Sequence, residues 1–96
     1  LTPTKGREQN GRRPVLVISA AQYHDIIDAL AIVVPISTTD RGWPNHIRLT
    51  DLARSSWAMT EQPRTIAQQR LKARIGTATP EELAQVLSWV IDFISL

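Results

Sequence analysis

The sequence predicts an α+β fold, mainly β: a small, strongly curved barrel or sandwich that ends in one C-terminal helix. Three observations predict it. Short apolar runs alternate with turn residues along most of the chain. Arg12-Arg13-Pro14 opens directly onto the apolar run Val15-Leu16-Val17-Ile18. The segment from Thr79 onward carries the start signals and the periodicity of a helix.

The elements follow in order. Leu1–Gly11 is polar and holds Pro3, Gly6 and Gly11, so a loop is expected there. Val15–Ser19 reads as a buried strand, because β-branched and leucyl residues fit a pleated interior. Pro14 lacks an N–H and therefore belongs at the strand entrance. Ala20–Asp28 is expected to hold a short helical turn before a second strand over Leu30–Ile36. Thr38–Asn45 is rich in turn residues. His46–Leu49 alternates like a half-buried strand. Trp57–Thr60 and Arg64–Ile66 follow as strands separated by Pro63, and Arg74–Thr77 is expected to add one more.

The last element has the strongest local signals. Thr79 is placed to cap a helix, Pro80 suits its first position and Glu82 completes a capping box. At about 100° per residue, its apolar side chains cover about 220° of the circumference, far more than one contact needs. The helix is thus expected to lie against the sheet and also to meet a second protein surface.

Composition narrows the functional classes. A 96-residue chain is one small domain, and domains of this size bury only about 60–65% of their unfolded surface. Association with a second copy would enlarge such a core. With no cysteine, disulfides and thiolate metal sites are excluded, and a reducing compartment, the cytoplasm, is expected. No apolar run approaches the roughly 20 residues that span a bilayer, and the first fourteen residues do not read as a signal peptide. All eleven Lys and Arg residues precede Ile75, whereas Glu81, Glu82 and Asp92 are the only charges after it. A basic body suits a polyanionic partner, although ordinary surface charge gives the same pattern.

Candidate site residues are read with their plainer alternatives. Arg13 is held by Pro14 at a strand mouth, and its guanidinium is a planar donor fork suited to phosphate; a solvated charge is the plain alternative. Glu8, Gln9 and Asn10 lie just upstream and could share its site or simply line a loop. Ser37 and Thr38 emerge where the Val33-Val34-Pro35-Ile36 run ends, and their hydroxyls suit either a phosphate oxygen or a local turn. Thr60-Glu61-Gln62-Pro63-Arg64-Thr65 is a polar cluster that a surface strand would also carry. His24 and His46 stand in unrelated contexts, with no carboxylate at triad spacing, and no metal motif is present. Trp43, Trp57 and Trp89 are possible stacking surfaces, with Trp57 and Trp89 assigned to the core.

Taken in order, these segments resemble the MazF/PemK toxin family of bacterial toxin–antitoxin systems. The resemblance rests on Thr2-Pro3-Thr4-Lys5-Gly6-Arg7-Glu8-Gln9-Asn10-Gly11-Arg12-Arg13-Pro14-Val15, then Val33–Thr38 and Arg41-Gly42-Trp43-Pro44. It is tightest at Glu61-Gln62-Pro63-Arg64-Thr65-Ile66, with Arg70-Leu71 following. It implies one toxin domain over 1–96 with an SH3-like barrel of the CcdB/PemK-like type, lacking a native strand that would precede Leu1. It further implies a homodimer, a cognate MazE-like antitoxin and single-stranded mRNA as substrate, with no cofactor and no metal. Carried over by position, the catalytic set is Arg13, Ser37, Glu8 and Glu61, and the RNA-binding set is Gln9, Arg12, Thr38, Trp43, Gln62 and Arg64. Many relatives carry threonine at position 37, and some carry aspartate at position 61. The implied reaction is attack by the RNA 2′-hydroxyl on its own phosphate, giving 2′,3′-cyclic phosphate and 5′-hydroxyl ends. Two rivals stand beside this expectation: a same-fold CcdB-like toxin that binds gyrase without nuclease activity, and a non-catalytic RNA-binding barrel.

Overall fold

The computed structural model describes residues 4–7, 13–20, 22 and 29–95. Six strands form one sheet: β1 (Thr4–Arg7), β2 (Pro14–Val17), β3 (Leu30–Ser37), β4 (His46–Leu49), β5 (Ser56–Met59) and β6 (Arg64–Ala67). A short 3₁₀ turn at Gln68–Arg70 follows, and the helix α1 (Pro80–Ile94) closes the order. The strand order is β1-β2-β3-β5-β4, with β6 also paired to β3, and every pair is antiparallel. Among the described residues the sheet does not close on itself, so the predicted barrel is an open, curved sheet.

The eight-residue β3 organises the rest because both its faces are buried. Val34 and Ile36 join Leu16, Ile18, Ile47, Leu49 and Ala58 in a core on the helix side. Ala31 and Val33 join Val15, Val17 and Ile66 in a second core on the opposite face. This is the near-continuous apolar run expected of a strand covered on both sides. Pro35 is accommodated by the sheet's own discontinuity. Ile18 N–H donates to Ile32 O at 2.9 Å, so alternation along the strand turns the Pro35 backbone toward the other edge. There, pairing with β6 ends at Val33 and pairing with β5 begins at Ile36. The missing proline donor therefore falls in a gap.

The helix begins as predicted. Glu82 N–H donates to Thr79 Oγ1 and Thr79 N–H to Glu82 Oε1, each at 3.1 Å, with Pro80 in the first turn. The other Glu82 oxygen accepts from Thr50 N–H at 3.0 Å and Thr50 Oγ1 at 2.7 Å. That second pair of bonds explains why a carboxylate is tolerated at 8% exposure, since a buried charge needs full hydrogen bonding. Leu83, Val86 and Val90 pack into the helix-side core. Ile91, Phe93 and Ile94 are exposed, which matches the expectation of more apolar surface than the sheet can cover.

Several expectations are corrected. The N-terminal stretch is not all loop: Thr4–Arg7 pairs with Pro14–Val17 as an edge strand. Backbone pairing with β2 makes it a strand. Arg74–Thr77 forms no strand. Thr77 N–H instead donates to Asp51 Oδ2 at 2.8 Å, and a Cβ on Gly76 would collide with the Asp51 carbonyl. That close approach is what glycine supplies here. Trp57 is half-buried and belongs to neither core, whereas Trp89 packs against the helix-side core. The helical turn expected between Ala20 and Asp28 falls largely outside the described residues.

Candidate functional site

Side chains alternate across a sheet, and residues directly opposite share a face. Arg13 precedes Pro14 and has the parity of Val15 and Val17. Pro35 and Ser37 have the parity of Val33. Trp57 pairs with Ser37, and His46 pairs with Met59. The face away from the helix thus gathers Arg13, Ser37, Trp57, Met59 and His46, with Arg64 opposite Val33.

Two sites draw on residues of this face. The first is an open cleft of about 320 Å³ between the start of β2 and the end of β3, lined by Arg13, Pro14, Pro35, Ile36, Ser37, Thr38 and Met59. Arg13 and Thr38 are exposed, and Ser37 is half-buried. Ser37 Oγ accepts the Thr39 N–H at 3.0 Å, the local turn anticipated for this hydroxyl. With that lone pair engaged, its O–H proton remains available to an incoming acceptor. A second cleft of about 400 Å³ adjoins the first across Pro14 and Thr38 and is walled by Leu52, Ala53, Arg54, Ser56 and Ile75.

The second site is a hydrogen-bonded cluster at the ends of β4 and β5. Glu61 accepts from Asn45 Nδ2 at 2.8 Å, from His46 Nε2 at 3.0 Å and from Gln62 Nε2 at 3.3 Å. Thr60 Oγ1 donates to the Asn45 carbonyl at 2.8 Å and receives Asn45 Nδ2 at 3.3 Å. Asn45, His46 and Thr60 are buried. Partial burial pushes the Glu61 carboxyl up, but its own backbone N–H, the His46 and Gln62 side chains and the His46 charge together outweigh that and hold it below its ordinary value. An ionised carboxylate is acceptor-only, so His46 Nε2 carries the shared proton. Trp43 lies over this cluster with its ring 4.8 Å from that of His46. Gln62 Nε2 also approaches Met59 Sδ at 3.9 Å, which links the cluster to the wall of the first cleft.

The predicted site residues therefore separate into groups. Arg13, Ser37 and Thr38 share the cleft. Glu61, Gln62 and Trp43 share the cluster, and Glu61 does not line the cleft. Arg64 is exposed on β6. Glu8, Gln9 and Arg12 lie outside the described residues. The sequence points to Thr60 only as part of a polar cluster, and it reveals neither the pairing of His46 with a carboxylate nor the part played by Asn45. The only available signal was the alternation of His46–Leu49, which puts His46 and Arg48 on the face opposite Ile47.

Comparison with known proteins adds an independent line. Residues 1–94 match the family model described as PemK-like, MazF-like toxin of type II toxin-antitoxin system. The endoribonuclease toxin MazF of Escherichia coli is 37% identical over 82 residues, covering 84% of this chain and 73% of that protein. Endoribonuclease MazF9 of Mycobacterium tuberculosis is 34% identical over 95 residues, covering 90% and 80%. Among solved structures, Mycobacterium tuberculosis toxin MazF-mt6 superposes with a TM-score of 0.80 at 21% identity over 97% of both chains. A MazE–MazF crystal structure from Deinococcus radiodurans gives 0.80 at 22% identity, covering 99% of this chain and 92% of that one. These two structural likenesses establish the fold. No described helix is long and apolar enough to cross a membrane.

Proposed function

This chain belongs to the PemK-like, MazF-like toxins of type II toxin–antitoxin systems, and we propose that it is a cytoplasmic, sequence-specific endoribonuclease that cuts single-stranded mRNA. The observation that carries the proposal is the shared cleft of Arg13 and Ser37, an exposed cation and a hydroxyl with a proton to donate on neighbouring strand ends. Two relatives named as endoribonucleases, aligned over most of this chain, support it.

RNA supplies its own nucleophile. The 2′-oxygen attacks the adjacent phosphorus, the bond to the 5′-oxygen breaks, and the products are a 2′,3′-cyclic phosphate and a 5′-hydroxyl. Charge accumulates on the non-bridging oxygens as the new bond forms. Arg13 meets that charge and the Ser37 O–H donates to the same group. Donors preorganised toward developing charge contribute about 3–4 kcal/mol each. Glu8 and Glu61 are the carboxylates proposed for proton transfer. Of these, Glu61 has its carboxyl held below its ordinary value and accepts from His46 Nε2. Gln9, Arg12, Thr38, Trp43, Gln62 and Arg64 are the proposed contacts to the strand. Side chains and the 2′-hydroxyl supply all the groups this route needs, so it requires no metal.

The proposed protein partners are a second copy and a MazE-like antitoxin. The exposed Ile91, Phe93 and Ile94 provide apolar surface for such contacts. The test is a defined single-stranded RNA incubated with the protein in excess EDTA, with end-group analysis of fragments. Cleavage with cyclic phosphate ends is expected. Intact RNA, or a strict need for added magnesium, would refute the proposed route. A DNA strand of the same sequence is expected to bind uncut, because it lacks the nucleophile.

A further inference from the structure

The Arg41–Asn45 loop carries an aromatic side chain in an unusual setting. Asp40 Oδ1 accepts the Gly42 N–H at 2.9 Å, and Gly42 adopts φ 71°, a left-handed conformation that glycine takes without strain. His46 N–H donates to the Trp43 carbonyl at 3.1 Å. The loop is therefore tied at both ends of Trp43, whose side chain is nevertheless 48% exposed. Its two neighbours differ in kind. His46 is buried and bonded to Glu61 through Nε2, so the ring beside the indole is anchored. Arg41 is exposed and holds its guanidinium 5.7 Å from the indole centroid.

We propose that the Trp43 indole is a stacking subsite for one base of the bound RNA strand, with Arg41 as the exchangeable group that this base displaces. The inference rests on the endoribonuclease reading and deepens it. A surface cation–π contact is weaker than a base stacked on an aromatic face. Exchange of Arg41 for a base is therefore favoured, and the released guanidinium is close enough to the strand to neutralise a phosphate. The buried His46 ring packs against the indole at 4.8 Å, which limits the order lost when the base arrives. Stacking accepts any base, so the subsite adds affinity and direction rather than sequence choice.

The experiment maps the cut site with the wild-type protein, then measures binding of the same RNA with a 2′-deoxy nucleotide at that site, across a salt series. Trp43→Ala is expected to weaken binding about tenfold at every salt concentration, and Trp43→Leu, which keeps bulk without an aromatic face, to do the same. Arg41→Ala is expected to lower the salt slope by about one while leaving high-salt affinity unchanged. In a scan of single abasic substitutions, one position is expected to cost the wild type about tenfold and Trp43→Ala nothing. Wild-type affinity in both Trp43 variants, or abasic penalties that Trp43→Ala leaves unchanged at every position, would overturn the subsite. If the wild-type protein fails to cut RNA at all, the endoribonuclease reading fails. If it cuts while the Trp43 variants bind normally, only the subsite fails.

Discussion

The Arg13–Ser37 cleft and the Asn45–His46–Thr60–Glu61 cluster both sit at strand ends of the same sheet, yet they handle polarity in opposite ways. The cleft is open and exposes its cation, and its serine keeps a proton to give. In the cluster, Asn45, Thr60, Glu61 and His46 Nε2 bond to one another, and only His46 Nδ1 is left without a partner among its buried side-chain atoms. Uncommitted groups are cheap to hold at a solvated strand mouth and costly in a core. The difference teaches where substrate chemistry can reside: ligand-facing charge belongs to the cleft, and the cluster's first task is to hold shape. Glu61 straddles the division, being part of a rigid network and still a proposed proton carrier.

Substitutions that break this contrast differ in what they should cost. Arg13→Ala should reduce cleavage by about 10²–10³-fold or more, with thermal unfolding unchanged because the side chain is exposed; a folded variant with full activity would remove Arg13 from the chemistry. Ser37→Ala should lower the single-turnover rate by about 10²-fold, and only the short turn to Thr39 should loosen. Thr60→Val acts in the other region. Removing both bonds to buried Asn45 should cost about 1–3 kcal/mol in denaturant unfolding, and the folded fraction should keep its cleavage rate. Equal effects on stability and on the rate per folded molecule would erase the division between cleft and cluster.

The smallest effect concerns pH. The folded-state pKa of Glu61 is held down, so its network adds stability above the pH at which an unfolded glutamate ionises. That stability is lost as pH falls through the lowered folded-state value. A Glu61→Gln variant should therefore show a flatter acid limb in a stability–pH series than the wild type does. Superimposable curves would show that the network carries no net electrostatic contribution.

What could be read from the chain alone follows from the range of each interaction. The helix start was legible because Thr79, Pro80 and Glu82 act on one another within one turn. The apolar run of β3 was legible as a buried strand, and the ends of β2 and β3 as places where Arg13 and Ser37 emerge. Their meeting in one cleft depends on strand order, which no local pattern contains. The His46–Glu61 pair was missed for the same reason: fifteen residues and a strand reversal separate its members. Thr4–Arg7 reads as loop in the sequence because a strand held by backbone pairing needs no apolar alternation. Arg74–Thr77 reads as a strand in the sequence because its composition does not reveal that Gly76 is pressed against the Asp51 backbone.

Glu82 has a consequence for how the molecule comes apart. One oxygen closes the capping box at Thr79 and the other grips Thr50 at the end of β4. The signal that starts the helix is therefore also a ruler that sets where along the sheet it starts. Sliding the helix by one residue would break the grip on Thr50 and rotate Leu83, Val86 and Val90 out of register with the core. Helix and sheet are thereby joined into one cooperative unit, and neither loosens without releasing the other.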